Sequence, residues 1–142
     1  MITLTSDQTI RADQYLDTQH ESFAPLGELL FATFGHKSGR ISSQVRNLQQ
    51  IVCSATRFAD VEDFVKNQMG KGGGEAKSWR QIGDEMLTQL KRLREQAAKW
   101  SDDSEVQLSL RLKLARGWVR AVVGEYLYRV ARDQMEQQHA ER

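Results

Sequence analysis

The residues best suited to do chemistry in this chain are a glycine cluster and the lysine–serine pair beside it. In "NQMGKGGGEAKSWRQIG" glycines stand at 70, 72, 73 and 74, and Lys77-Ser78 follows. A phosphate-binding loop cradles its ligand with backbone N–H groups and requires Gly, four residues, Gly, Lys, then Ser or Thr. Aligned on Lys77-Ser78, the two glycine positions hold Lys71 and Ala76. The preceding "VEDFVKNQ" reads as helix rather than strand, and no apolar strand ending in Asp is present to hold magnesium. The segment near 70–77 therefore reads as a glycine-rich connection between helices, able to reach backbone angles closed to other residues. Lys71 and Lys77 flank it, so its bare amides can still settle on a phosphate backbone.

Two carboxylate–imidazole pairs, Asp17-x-x-His20 and Glu136-x-x-His139, are spaced one helical turn apart. Carboxylate-bridged metal bundles use Glu-x-x-His twice, with further glutamates from other helices. Here both pairs fall in polar surroundings near expected helix ends and read as solvated surface pairs, which leaves a metal–carboxylate bundle enzyme as a remote alternative. Cys53 is the only cysteine. It has no histidine nearby in sequence and reads as an inert thiol. No Ser-His-Asp spacing is defensible, so no catalytic residue, metal ligand or cofactor is assigned and no enzymatic activity is expected.

The cations are more informative. Formal net charge is only +1, but it is distributed in blocks. Residues 1–28 set Asp7, Asp13, Asp17, Glu21 and Glu28 against Arg11 alone. Residues 29–59 have no acid and carry Lys37, Arg40, Arg46 and Arg57. After Asp102, Asp103 and Glu105 come Arg111, Lys113, Arg116 and Arg120 with no acid between them. On a helix wheel Lys113, Arg116 and Arg120 form one narrow strip with Gly117 and Gly124 beside it. Arg46 and Arg57 share a face of an expected helix, with Lys37 and Arg40 just ahead in a loop, and Arg80, Lys91 and Arg94 line another helix. Cationic strips with glycines where a Cβ would obstruct suit close approach to a sugar-phosphate backbone. Trp118 and Tyr128 could stack on bases, but aromatics are few on the strips, which favours backbone grip over base reading. The alternative is that these are ordinary solvated faces, or partners of the acidic N-terminal segment.

The elements that must position these side chains are helical. The expected fold is all-α: one compact helical domain over residues 1–142, with about five helices and a long C-terminal one, its termini frayed at about 1–5 and 137–142. Thr5 and Gln8 form a capping box for a first helix to about His20. Pro25 suits the first turn of a second, short helix capped by Gly35, and "GHKSGR" follows as a loop. Ser42 or Ser43 opens a third helix, whose stripe Val45, Leu48, Val52, Ala55 and Phe58 continues to Met69 past a small break at Phe58–Ala59. Ser78 with Gln81 starts the fourth helix and Ser104 with Gln107 the fifth, which runs to about Gln137. "VQLSLRLKL" alternates as a strand would. Its leucines are strong helix formers and no partner strand is visible, so it is assigned to the fifth helix. That helix is then apolar on two sides, through Leu108, Leu112, Ala115, Val119, Val122, Tyr126 and Val130 on one and Val106, Leu110, Leu114 and Trp118 on the other. Such a helix is central in its bundle or touches a second protein.

At "ISSQVRNLQQIV" and "LRLKLARGWVRAVVGEYLYRVAR" the chain resembles the small, all-helical subunit of type III CRISPR effector complexes. Those proteins open a helix with a Ser/Thr-rich cap followed by Gln, an apolar residue and Arg, and they end in a long helix with aromatics like Tyr126 and Tyr128. The resemblance implies a helical bundle with no catalysis of its own, stacked with its copies and with other effector subunits. Basic side chains would contact guide RNA and target RNA or single-stranded DNA. Arg46, Arg116 and Arg120 fall at positions the resemblance covers; Lys37, Arg40, Arg57 and Lys113 are added from charge. The glycine-rich connection and the acidic first helix depart from the family pattern. A helical protein–protein adaptor without nucleic-acid binding is the competing reading. The polar start "MITLTSDQTIRADQ" does not read as a signal peptide, no apolar run approaches a membrane span of about 20 residues, and a lone cysteine fits a reducing cytoplasm.

Overall fold

The computed structural model describes residues 2–140. Five helices follow one another, α1 (Ser6–Phe34), α2 (Ser43–Ser54), α3 (Phe58–Gly70), α4 (Gly74–Trp100) and α5 (Ser104–Ala140), with a minimal hairpin of β1 (His36–Lys37) and β2 (Arg40–Ile41) between the first two. The fold is all-α, as the periodicity implies.

α1 starts as expected. Thr5 Oγ1 accepts from Gln8 N–H while Gln8 Oε1 accepts from Thr5 N–H. It does not stop near His20. One helix continues through Pro25 to Phe34, where two helices were expected. A proline inside a helix costs about 3 kcal/mol. Phe23, Leu26 and Leu30 around it are buried, each contributing roughly 1.5–3 kcal/mol, so the continuous apolar face outweighs the break. Gly35 then caps the helix, its N–H donating to Phe31 C=O.

The expected third helix divides instead. Its reversal lies at Ala55–Arg57, earlier than the Phe58–Ala59 break the stripe implies, and α2 and α3 run in opposite directions. Ser42 N–H donates to Tyr126 Oη at one end of α2, and Arg116 donates to Ala55 C=O at the other, so α2 is antiparallel to α5. Arg94–Glu62 and Arg80–Met69 C=O set α3 antiparallel to α4. Asp13–Lys113 and Glu28–Arg129 lay α1 parallel to α5.

The glycine-rich connection is confined to Lys71–Gly73. Gly73, at φ 99°, is the cap of α4, so Ser78 and Gln81 lie inside the helix and form no box. Asp103, not Ser104, caps α5: its Oδ1 accepts from Glu105 and Val106 N–H. Ser109 Oγ donates to Ile2 C=O, and α5 extends past Gln137 to Ala140; Met1, Glu141 and Arg142 lie outside the described residues.

α5 packs against each of the other helices. Both of its apolar patches are used: Leu110, Leu114 and Trp118 are buried, and so are Leu112, Ala115, Val119, Val122 and Tyr126. A helix apolar around most of its circumference belongs at the centre of a bundle, and the strand-like alternation over 106–114 comes from a helix covered on two sides.

Candidate nucleic-acid interface

The basic side chains gather in two groups, near opposite ends of α2. The first is built on the hairpin. Ser38 and Gly39 form its turn with φ of 51° and 81°, a left-handed pair that matches the twist of two-residue hairpins. The chain at "GHKSGR", expected as a loop, is therefore a hairpin with His36 opposite Ile41 and Lys37 opposite Arg40. His36 and Tyr126 tie it to α5, and His36 also braces its turn. His36 Nε2 lies 2.7 Å from Asp133 Oδ2, with the imidazole side chain only 5% exposed. Gly39 N–H donates to His36 Nδ1 at 2.9 Å. Tyr126 Oη donates to Gly35 C=O while accepting from Ser42 N–H. His36 also stacks on Phe31.

On this frame Lys37, Arg40 and Arg46 border one depression of about 300 Å³, shared with His36, Ser42 and Ser43. All three cations are exposed, and among the described residues none has a carboxylate partner. The depression opens on the N-terminus of α2, where Ser42 Oγ accepts from Gln44 N–H and the remaining first-turn N–H groups add partial positive charge.

The second group lies between the N-terminal part of α1 and α5. Lys113, Arg116 and Arg120 line one depression with Thr3, Thr9, Asp13, Leu16 and Gly117, so the strip read from the wheel exists. Two of its members have protein partners. Lys113 Nζ is 3.1 Å from Asp13 Oδ1, and an Arg116 Nη donates to Ala55 C=O, satisfying a carbonyl at the end of α2. Arg120 is exposed. Gly117 serves helix packing, because a Cβ there would collide with Leu16, whereas Gly124 faces open space.

Arg57 joins neither group. It does not share a helix face with Arg46, because the chain reverses before it. It stands at the start of α3, 2.9 Å from Asp60, whose hydrogen bond and charge raise the guanidinium's pKa above its ordinary value. Its neighbours are Arg94, Arg111 and Glu62. Arg94 pairs with Glu62, and Arg80 donates to Met69 C=O at the end of α3, so those cations also act within the protein. The seven predicted residues do not line one depression: six divide between two, and Arg57 lies at a third. α2 is 12 residues long, about 18 Å at 1.5 Å per residue, and runs from the hairpin to Ala55, where Arg116 is anchored. The sequence between them, residues 47–54, is uncharged.

Trp118 is buried and donates to Gln89 Oε1, so it is no stacking platform; Tyr128 is 56% exposed. Asp17, His20, Glu136 and His139 are all exposed, and among the described residues no three His, Cys, Asp or Glu side chains are placed to hold a metal ion. Cys53 is exposed. Among the described residues no helix is long and apolar enough to cross a membrane.

Sequence reasoning missed the residues that position the first group, His36, Asp133 and the Tyr126 hydroxyl, and the specific partner of Lys113 in the second, Asp13. His36 and Asp133 are 97 positions apart, and no local pattern links them. Comparison of the chain with protein-family models, with curated proteins and with solved structures gave no match.

Proposed function

We propose that the chain is a non-catalytic subunit of a ribonucleoprotein assembly, gripping a single-stranded nucleic-acid backbone at the hairpin and the start of α2. The small subunits of type III CRISPR effector complexes, which the sequence resembles, belong to assemblies of this type, and guide or target RNA is the proposed ligand. One observation carries the reading: Lys37 and Arg40 are direct cross-strand neighbours. Like charges in that position oppose pairing. Arg46 adds a third cation to the same depression. A polyanion removes the repulsion, and the open N-terminus of α2 supplies further donors for phosphate oxygens.

The competing reading, a protein–protein adaptor, draws on Leu127, Tyr128 and Met135, which are 39%, 56% and 51% exposed along α5. Salt dependence separates the two. Binding of a single-stranded RNA to the purified chain, followed by fluorescence anisotropy over a salt series, gives a log–log slope of about −0.7 per phosphate neutralised. Reversing Lys37, Arg40 and Arg46 to Glu should flatten that slope by about 2. An unchanged slope, or no RNA binding by the wild-type chain at low salt and none when joined to its partner subunits, rejects the nucleic-acid reading.

A further inference from the structure

The second basic depression has a different character from the first. Lys113, Arg116 and Arg120 form its charged side, and Asp13 is the one carboxylate among its lining residues. Three cations against one anion leave two positive charges uncompensated. Thr3 and Thr9 bring hydroxyls, while Ile2, Leu4 and Leu16 form an apolar wall and Gly117 leaves the floor without a Cβ. The depression measures about 360 Å³, within the size range of small-ligand sites.

We propose that this depression binds a small phosphomonoester of nucleoside-monophosphate size. A terminal phosphate carries roughly −1.5 to −2 charges at neutral pH and three acceptor oxygens, which matches the uncompensated charge and the arginine and threonine donors. The apolar wall from Ile2, Leu4 and Leu16 takes the uncharged body. Asp13 is a built-in competitor: it holds Lys113 Nζ at 3.1 Å, and an entering phosphate displaces it. Asp13 is 61% exposed at its side chain, so it can swing into solvent at little cost.

The test is calorimetric titration of the full chain with adenosine monophosphate, adenosine and inorganic phosphate, at low salt and without RNA. Its outcome is thus independent of the backbone reading above. Adenosine monophosphate should bind at least tenfold more tightly than adenosine, and more tightly than inorganic phosphate. Arg120→Gln should weaken it about tenfold, because Arg120 is exposed and holds no other element in place. Asp13→Asn should strengthen it several-fold by removing the competing charge, an effect opposite to that of merely losing an ion pair. Thermal melts of both variants establish that they fold. Equal affinity for adenosine and its monophosphate, no response to Arg120→Gln in a folded protein, or weaker binding by Asp13→Asn overturns the proposal.

Discussion

His36 Nε2 stands 2.7 Å from Asp133 Oδ2, joining the first strand of the hairpin to the last turns of α5. Because His36 Nδ1 accepts from Gly39 N–H, the proton between His36 and Asp133 belongs to Nε2. The imidazole thus links a carboxylate on α5 to the turn that spaces Lys37 from Arg40. Asp133→Ala removes the acceptor and leaves a mostly buried imidazole N–H without a partner. The expected loss is about 2 kcal/mol, the range for a hydrogen bond to a charged group. It should be concentrated in the hairpin: amide exchange at Gly39 should quicken by more than tenfold, while amides in α4 keep their protection. If the hairpin positions its cations for RNA, affinity should also fall several-fold with the salt slope preserved, because the charges remain but their geometry is lost. Uniform loss of protection across all helices would show that Asp133 supports the whole bundle instead.

The all-helical class, the long last helix, the Thr5 and Gly35 caps and the Lys113–Arg116–Arg120 strip were all legible, because each depends on local spacing. The errors have a common origin in tertiary packing. Pro25 reads as a helix start until the buried side chains on either side of it are counted. The stripe from Val45 to Met69 keeps a helical step through a reversal of direction, since both α2 and α3 face the same core. That reversal separates Arg57 from Arg46. Ser78 and Ser104 each carry the right residue for a cap, but Gly73 and Asp103 lie ahead of them and take the role. The His36–Asp133 pair could not have been read at all, because it joins segments nearly a hundred residues apart.

The glycines divide by what a methyl group would meet. At Gly27 a Cβ would lie 2.5 Å from Val122 C=O and 2.6 Å from Glu125 Cβ, where α1 and α5 touch. A backbone carbonyl cannot step aside, so Gly27→Ala should destabilise by about 1–3 kcal/mol, the usual cost of overpacking. At Gly124 nothing lies within 4 Å, and Gly124→Ala should stabilise by up to about 1 kcal/mol through helix propensity. Urea melts of the two variants should move in opposite directions. The Gly124 variant also bears on the strip: if RNA affinity is unchanged, that glycine gives no close approach to a phosphate.

Trp118 donates to Gln89 Oε1 at 2.7 Å in the buried layer between α4 and α5, and Gln89 Nε2 in turn reaches Glu85. Trp118→Phe keeps most of the apolar volume but strands the glutamine carbonyl away from water, at an expected cost of about 1–3 kcal/mol. Replacing both partners, Trp118→Phe with Gln89→Leu, should recover a large part of that loss, because no buried acceptor then lacks a donor. Denaturant titration of both single variants and the double gives the coupling directly. Purely additive losses would mean that the pair contributes through packing alone.

Tyr15 packs edge-on against Trp100 at 5.5 Å, where α1 meets the end of α4. Burial raises its phenol pKa above 10.0, and the nearby Arg92 charge offsets part of that rise. The folded chain therefore holds the phenolic proton more tightly than the unfolded chain does. Stability from this group is complete below the unfolded value of about 10 and is lost as pH rises through the folded pKa. Tyr15→Phe should abolish this contribution, so the stability difference between the variant and the wild type should be constant near neutral pH and shift in the variant's favour above pH 10. Arg92→Gln should steepen the wild-type decline, because it removes the cation that eases ionisation. A difference that stays flat through pH 11 would place the Tyr15 hydroxyl in water in the folded protein, contrary to the packing against Trp100.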